Sequence, residues 1–319
     1  MSHQTVEEPG HTAAILSRPG PEGRAVTFVD GLEEVAARYD LLLCDVWGVL
    51  HDGVSAFRAA GDALARYRQG GGRVVLVSNA PRPGADVVAQ LAALGVRRDA
   101  FDDIRTSGDL TRDLVAGRGA ERFHHIGPER DLGLFDGLPA RACPLDEADY
   151  VVCTGLFDDE TETVADYADA LRAMRARGLL MVCANPDIVV ERGDRLIICA
   201  GALAAAYEEM GGQSVTAGKP HRPIYQAALE LGATLLGRPA DLARVLGVGD
   251  AIRTDVAGGH GAGIDTLLVA RGIHAADLGL TETGLDRDVA QAWMARQDVV
   301  PTFATRELVW AAADPSRTG

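Results

Sequence analysis

Hydrophobic and polar positions alternate along the chain in two recurring patterns. Continuous apolar runs such as "DLLLCDV" and "RVVLVS" predict buried strands. Apolar positions spaced three or four residues apart, as in "AGDALARYRQG" and "PGADVVAQLAALG", predict amphipathic helices. The two kinds of segment follow one another in turn, which is typical of a parallel sheet with helices on both faces. The pattern therefore predicts an α/β fold.

The alternation is interrupted in the middle of the chain. Residues 118–212 contain strand-like runs of their own ("FHHIG", "YVVCTG", "LLMVCANP", "LIICAG") and a long helical pattern, "ETVADYADALRAMRARG". The first rhythm then returns with "HRPIYQAALELG", "ARVLGVGD" and "IDTLLVA". We therefore predict a core formed by residues 25–117 and 213–319, with an inserted domain at 118–212. Residues 1–24, where Pro, Gly and charge break every apolar stretch, are predicted to be a flexible tail.

The charge balance narrows the range of partners. The chain has 46 acidic and 31 basic side chains, a formal net charge of −15, and no long basic run. Such a chain repels the phosphate backbone of nucleic acids and the anionic surface of membranes. We therefore expect neither nucleic-acid nor membrane partners.

The five cysteines are odd in number and show no CxxC spacing. Most lie in apolar, strand-like runs such as "VVCTG", which is typical of reduced thiols buried in a core. The sequence shows no signal-peptide pattern and no apolar run of transmembrane length. Together these features predict a cytoplasmic protein.

Polar side chains follow three of the predicted strands at the point where each strand ends. They are Asp45 after "LLLC", Ser78 in "VVLVS" and Asp250 after "VLGVG". Ligands of open parallel sheets bind at the carboxyl ends of the strands, so we expect these side chains to meet there. Lys219, in "TAGKPHRP", is the only lysine of the chain, which indicates a need for a compact ammonium group. Each residue alone also fits a turn, a helix cap or a solvated surface.

These groups together suit phosphoryl transfer. Two carboxylates can hold Mg²⁺, an ammonium and a hydroxyl can neutralise phosphoryl oxygens, and the Asp45 carboxylate can attack phosphorus to form an aspartyl-phosphate. A nicotinamide-binding site is not indicated, because Ile252 stands where the GxG pattern of Gly247 and Gly249 would need its third glycine.

Four segments resemble the motifs of a known family. "DVWGVLHDG", "VSNAP", "AGKPHRPIYQAAL" and "VGDAIRTDVAGGHGAGIDT" are similar to those of the haloacid dehalogenase (HAD) superfamily, in its class IIA, NagD-like phosphatase branch. The resemblance covers about residues 30 to 271. It implies a Rossmann-like HAD core in which the insertion is an α/β cap of the C2 type. Such a cap closes over the site and selects the substrate.

The resemblance also assigns roles to individual residues. Asp45 would be the nucleophile and a Mg²⁺ ligand, and Asp250 would be a second ligand. Ser78 and the backbone of Asn79 would bind the phosphate. Lys219 would pair with Asp45 and the phosphate, and Asp255 would hold either the metal's waters or Lys219.

Trp47 departs from the family pattern, which has an aspartate at this position. In the family that aspartate is the general acid that protonates the leaving oxygen, and its backbone carbonyl is a metal ligand. Any residue supplies a carbonyl, so the resemblance keeps Trp47 as a metal ligand but removes the proton donor. His51 and Asp52 are candidate substitutes, although "HDG" also fits a solvated turn.

The indole of Trp47 has two interpretations. It can be an apolar or stacking wall for the substrate, with its N–H directed at an acceptor, or a plug in a site that has lost catalysis. In the cap, Asn185, Asp187 and Arg192 are candidates for substrate recognition, because the family's "NPD" segment faces the active site. An ordinary Asn-Pro turn and a solvated arginine are the alternatives.

The sequence thus predicts a Mg²⁺-dependent phosphatase of a small phosphorylated metabolite, with Asp45 as nucleophile and its usual general acid missing. One alternative is a HAD homologue that binds a phosphorylated ligand without hydrolysing it. Another, ranked lower, is a HAD hydrolase of carbon–halogen or carbon–phosphorus bonds. Because caps of this branch often contribute to dimer contacts, a homodimer is compatible with the resemblance.

Overall fold

The computed structural model of the protein describes residues 26–193, 195–282 and 284–311, so the predicted tail at 1–24 lies outside the described residues. The strands are β1 (Thr27–Phe28), β2 (Leu41–Cys44), β3 (Arg73–Ser78), β4 (Asp103–Thr106), β5 (Arg122–Ile126), β6 (Arg141–Ala142), β7 (Tyr150–Cys153), β8 (Leu180–Cys183), β9 (Val189–Arg192), β10 (Arg195–Ile198), β11 (Gln213–Thr216), β12 (Val245–Gly249), β13 (Asp265–Val269), β14 (Leu280–Thr281), β15 (Gly284–Leu285) and β16 (Phe303–Thr305). The α-helices are α1 (Glu33–Ala36), α2 (Arg58–Gln69), α3 (Gly84–Leu94), α4 (Ser107–Gly117), α5 (Ala168–Arg177), α6 (Ala200–Glu209), α7 (Arg222–Leu236), α8 (Ala257–Ala262) and α9 (Arg287–Met294). Across these described ranges, no helix is both long and apolar enough to cross a membrane.

Seven strands form a parallel sheet in the order β1-β16-β13-β12-β2-β3-β4. Every residue of β2 and β12 is buried, because helices cover both faces of the sheet. Successive residues of β2 pack on opposite sides: Leu42 contributes to the cluster under α2 and α3, and Leu41 to the cluster under α7. The predicted α/β fold is confirmed.

The order of this sheet brings the predicted site residues together. The central strand β2 lies between β12 and β3 and is parallel to both, so the three carboxyl ends are neighbours. Asp45 directly follows β2, Asp250 directly follows β12, and Ser78 is the last residue of β3. The expectation that they meet at one edge of the sheet follows directly from this topology.

A second parallel sheet has the order β11-β8-β7-β5-β6. Helices α5 and α6 cover it, with Leu171 and Leu203 in one cluster with Val151. The division of the chain into domains remains a prediction. Since β11 pairs with β8 in this second sheet, we place the later boundary after Thr216 and not at residue 212.

The first three residues of the segment "LIICAG" lie in a strand as predicted, but its last two residues begin α6, and the strand does not join the second sheet. Its strand β10 pairs antiparallel with β9, and the two form a separate hairpin. The turn between them includes Gly193, whose φ of +58° is accessible to glycine at little cost. An apolar run predicts a strand but not its neighbour, so the sequence could not distinguish these arrangements.

Candidate active site

Three buried carboxylates meet at the carboxyl ends of β2 and β12. Asp45 directly follows β2, Asp250 directly follows β12, and Asp255 lies in the π-helical turn Ile252–Val256. One oxygen of each carboxylate lies within 4.8 Å of the others. The Asp45 N–H donates to the Val248 carbonyl at 2.8 Å, which fixes the two strand ends against each other.

The single lysine pairs with two of these carboxylates. Its Nζ lies 2.6 Å from Asp45 Oδ1 and 2.7 Å from Asp255 Oδ1, and the residue is 3% exposed. Asn79 holds the backbone of Lys219: its side-chain oxygen accepts from the Lys219 N–H at 2.7 Å, and its amide donates to the Lys219 carbonyl at 3.3 Å. Lys219 is therefore held at its backbone by Asn79 and at its ammonium group by Asp45 and Asp255.

The electrostatics of the cluster favour the binding of a cation. Burial and the nearby charge of Asp255 raise the pKa of the Asp45 carboxyl well above its ordinary value, and they also raise the pKa of Asp250. Burial alone would lower the pKa of the Lys219 ammonium, but Asp255 and Asp45 raise it above its ordinary value. Three carboxylates around one ammonium leave excess negative charge, which a hard divalent cation with oxygen ligands would neutralise. The donor set therefore fits Mg²⁺.

Backbone packs directly against the Asp250 carboxylate. A Cβ atom at Gly48 or at Gly272 would collide with this side chain, so both positions require glycine. The Ile273 N–H donates to Asp250 Oδ2 at 2.9 Å. These contacts fix the direction in which the carboxylate points.

Ser78 and Asn79 lie at the end of β3, beside β2, and both are almost fully buried. The Ser78 hydroxyl accepts from the Ala80 N–H at 3.2 Å, and Asn79 Nδ2 donates to Asp187 Oδ1 at 2.8 Å. Both residues line the same cavity as Asp45. The structure thus places a hydroxyl and an amide group beside the candidate nucleophile.

A cavity of about 530 Å³ lies over these residues and reaches from the first sheet to the segments that follow β7 and β8 and to the hairpin. Apolar side chains that line it include Trp47, Phe57, Leu156, Val189 and Ile198. An apolar wall with a few convergent polar groups is typical of small-molecule sites.

Trp47 reaches from the end of β2 to the β9–β10 hairpin. Its Nε1–H donates to the Glu191 carbonyl, and its ring meets the His51 ring edge-on with centroids 4.9 Å apart. The indole lines the cavity, which extends beside it to Asp45. This arrangement favours the interpretation of Trp47 as a wall of the site over that of a plug.

The structure argues against His51 as a substitute acid. His51 is 1% exposed, its Nδ1 accepts from the Gly53 N–H at 2.8 Å, and it is not among the residues that line the cavity. Burial lowers its pKa to about 4, so the ring is neutral near pH 7. Asp52 does line the cavity, but its carboxylate accepts from the Val54 and Ser55 N–H groups and its pKa is lowered, which disfavours the protonated form.

The three cap candidates all line the cavity, with different partners. Asn185 Oδ1 accepts from the Asp187 N–H at 3.0 Å, so the predicted turn is present, and Asp187 in turn contacts Asn79 of the core. Arg192 lies 3.0 Å from Asp159, so a carboxylate of the protein already pairs with its charge. This pairing argues against Arg192 as a ligand for a second anionic group of the substrate.

Several cavity residues were not predicted from the sequence. Arg82 and Asp131 both line the cavity and form an ion pair there, with Arg82 Nε 3.9 Å from Asp131 Oδ1. Asp131 is 3% exposed. Arg82 stands four residues after Ser78 in "SNAPR", a spacing that could have been used to find it. Asp131 lies in a polar segment, and Glu191 follows the apolar run "IVV" a few residues after the "NPD" segment; neither was singled out, and the fold brings both to the cavity.

Comparisons with known proteins agree with this geometry. A family model described as haloacid dehalogenase-like hydrolase matches residues 42–138, and a model described as HAD-hydrolase-like matches residues 216–293. The chain is 48% identical to the solved structure of a hydrolase of the haloacid dehalogenase-like family from Brucella suis 1330. The match covers 88% of this chain and 100% of that one, with a TM-score of 0.80.

Two relatives with named activities are more distant. Ribonucleotide monophosphatase NagD from Escherichia coli K12 is 28% identical over 243 residues, which are 74% of this chain and 89% of NagD. A solved glycerol phosphate phosphatase from Mycobacterium tuberculosis, in complex with magnesium, is 26% identical with a TM-score of 0.64; the match covers 88% of this chain and 79% of that one. Motifs, fold and relatives agree, and the chain belongs to the haloacid dehalogenase superfamily, in its class IIA, NagD-like phosphatase branch.

Proposed function

We propose that the protein is a Mg²⁺-dependent phosphatase of a small, cytoplasmic phosphorylated metabolite and that it acts through an aspartyl-phosphate at Asp45. One observation carries this proposal: the buried Asp45 carboxylate, paired with Lys219 at 2.6 Å, lines a cavity together with Ser78 and Asp250. Membership of a phosphatase branch and the named activities of the relatives support it.

In the proposed reaction the Asp45 carboxylate attacks phosphorus. A bond from phosphorus to the aspartate oxygen forms, and the bond to the leaving oxygen breaks, with its electron pair going to the leaving group. Lys219, the Ser78 hydroxyl and the Asn79 backbone N–H hold the phosphoryl oxygens. Water then hydrolyses the aspartyl-phosphate, which releases inorganic phosphate and regenerates Asp45.

We assign the metal site to Asp45, Asp250 and the backbone carbonyl of Trp47. A bound Mg²⁺ supplies positive charge that neutralises the phosphoryl group. Asp255 lies 2.7 Å from the Lys219 ammonium, so we assign it to holding Lys219, one of its two expected roles. The compact ammonium suits this position because it reaches two carboxylates in a buried space.

Trp47 sets a limit on the leaving group. General acid assistance is worth about 10²- to 10⁴-fold in rate, and an indole cannot provide it. The loss matters most for alkoxide leaving groups of high pKa and least for phenolates and carboxylates. We therefore expect the protein to prefer aryl and acyl phosphates, and the apolar wall of the cavity suits the aryl group.

The test is phosphate release, with and without Mg²⁺, from acetyl phosphate, 4-nitrophenyl phosphate and glycerol 3-phosphate, with Asp45→Asn as the blank. We expect Mg²⁺-dependent release from the acyl and aryl substrates and little from the alkyl ester. Equal release from all three would mean that another group supplies the proton. No release from any substrate, with Mg²⁺ still bound, would overturn the proposal in favour of a protein that only binds its ligand.

A further inference from the structure

Two hydrogen bonds of opposite direction join the loop after β2 to the β9–β10 hairpin. The Trp47 Nε1–H donates to the Glu191 carbonyl, and the Gly193 N–H donates to the Asp52 carbonyl at 3.1 Å. The ring of Trp47 lies so close to Gly53 that a Cβ there would collide with it. The loop and the hairpin turn are therefore held together by one hydrogen bond in each direction.

The hairpin depends on such contacts for its position. Its strands pair with each other and with no strand of the two large sheets among the described residues. An isolated two-stranded hairpin is marginally stable in water at best, so contacts with the rest of the protein determine where it lies. The hairpin also forms part of the cavity wall, with Val189, Val190, Ile197 and Ile198.

We propose that Trp47 is a positioning residue that fastens the β9–β10 hairpin over the active site through its indole N–H. The indole replaces a proton donor of the family with a hydrogen bond to the cap side of the cavity. The loop after β2, which follows Asp45, then determines the position of the hairpin and so of the cavity wall that faces the substrate. The fastening itself does not depend on turnover, whereas its effect on substrate binding rests on the proposed phosphatase function.

The test uses Trp47→Phe, which keeps an aromatic ring against His51 but lacks the donor. Hydrogen–deuterium exchange is followed by mass spectrometry in peptides that cover residues 188–199. One lost hydrogen bond corresponds to roughly three- to ten-fold faster exchange, and we expect this change in the hairpin and not in β2 or β12. Trp293→Phe is the matched control, because Trp293 lies on α9, where its ring packs against His274.

A second control separates the role of the Glu191 backbone carbonyl, which accepts from Trp47, from that of the Glu191 side chain. Glu191→Ala removes the carboxyl group but keeps the carbonyl that accepts from Trp47, so hairpin exchange should stay close to that of the wild type. Unchanged hairpin exchange in Trp47→Phe would overturn the proposal, and so would equal acceleration in Trp293→Phe.

A direct measurement does not require Trp47→Phe to fold. In the variant Trp293→Phe/Trp310→Phe, Trp47 is the only indole left, and its Nε1–H gives one resonance in a ¹H–¹⁵N spectrum. We expect this proton to exchange slowly with solvent because it is bound to a carbonyl. Exchange at the rate of a free indole would overturn the proposal.

The kinetic readout distinguishes positioning from chemistry. With an aryl phosphate, Trp47→Phe should raise KM several-fold and change kcat less than two-fold, since the wall binds the substrate but does not take part in bond breaking. A fall in kcat with unchanged KM would contradict a positioning role. If the wild type releases no phosphate, the proposed function fails, and the exchange measurements still decide whether the hairpin is fastened.

Discussion

Lys219 shows how one residue can organise the site. Its ammonium contacts two buried carboxylates, and Asn79 fixes its backbone from both sides. Its uniqueness in the chain indicated a special role, but only the fold could show that Asp255 is its second partner. Sequence spacing does not determine which of two acids lies near a cation that is 31 or more residues away.

Lys219→Met should strongly destabilise the protein when Mg²⁺ is absent. It leaves Asp45 and Asp255 buried without their common counter-charge, and breaking a buried ion pair on one side costs about 3–5 kcal/mol. Urea denaturation with EDTA measures this loss in the free energy of unfolding. Lys219→Arg, which keeps the charge, should lose less; equal losses would mean that volume and not charge determines the effect.

Trp47→Asp should return the missing acid to its usual position. We expect Mg²⁺-dependent hydrolysis of glycerol 3-phosphate to rise about 10²-fold or more, with a much smaller change for 4-nitrophenyl phosphate. Initial rates of phosphate release give both values. Trp47→Asn, of similar shape but without a transferable proton, is the control. A variant that folds and binds Mg²⁺ but stays inert on alkyl esters would contradict our account of Trp47.

At the scale of elements, the sequence predicts what depends on local pattern. The strands β2, β3 and β12 and the helices α2, α3 and α7 follow from apolar periodicity, and their order explains why Asp45, Ser78 and Asp250 meet. The pairing of β10 with β9 and of β11 with β8 depends on contacts between distant segments. Patterning along one segment contains no information about its partner, so these pairings were not predictable.

His125, a half-buried histidine on β5, gives the stability a pH dependence. His125 Nε2 lies 2.9 Å from Thr154 Oγ1, and burial, with some repulsion from His124, lowers the His125 pKa to about 4. In the unfolded chain a histidine has a pKa of about 6.5. As the pH falls from about 6.5 to about 4, the unfolded state binds a proton that the folded state does not, so stability is lost in this window.

His125→Gln should flatten this pH dependence. Urea denaturation of both proteins at pH 7, 6 and 5 should show the wild type losing more stability than the variant on acidification. A residual slope is expected, because the His51 pKa is lowered in the same direction. Parallel curves for the two proteins would show that His125 does not titrate on unfolding.

At the scale of the whole molecule, the candidate active site is a cavity lined by residues that follow strands of both large sheets and by the β9–β10 hairpin. Three contacts at this cavity join residues after β2 and β3 to the inserted segment: Asn79 with Asp187, Arg82 with Asp131, and Trp47 with the hairpin.

From the sequence we predicted a core, an insertion and the residues expected to lie near Asp45, namely Ser78, Lys219 and Asp250. A family motif pointed to Asn185, Asp187 and Arg192 in the inserted segment, and all three line the cavity. The sequence could not identify Asp131 or Glu191, because their positions depend on how the inserted segment packs on the core.

Mg²⁺ should stabilise the folded protein as a whole. A ligand that binds only the folded state at 100 times its Kd adds about 2.7 kcal/mol to the free energy of unfolding. Differential scanning fluorimetry with increasing MgCl₂ should show a rise in Tm that is lost in Asp250→Ala. Asp169→Asn, at an exposed position on α5, should keep the rise. A rise of equal size in Asp250→Ala would place the metal elsewhere.

The burial of the one lysine has a consequence for chemical labelling. Apart from an α-amino group, the side-chain ammonium of Lys219 is the only primary amine the sequence offers, and it is 3% exposed. Acylating reagents such as N-hydroxysuccinimide esters, and enzymatic acetylation, would find almost no reactive side chain on the folded protein. Slow acylation at Lys219 would then require the cavity to open. The acylation rate at this one residue would therefore measure the rate of that opening.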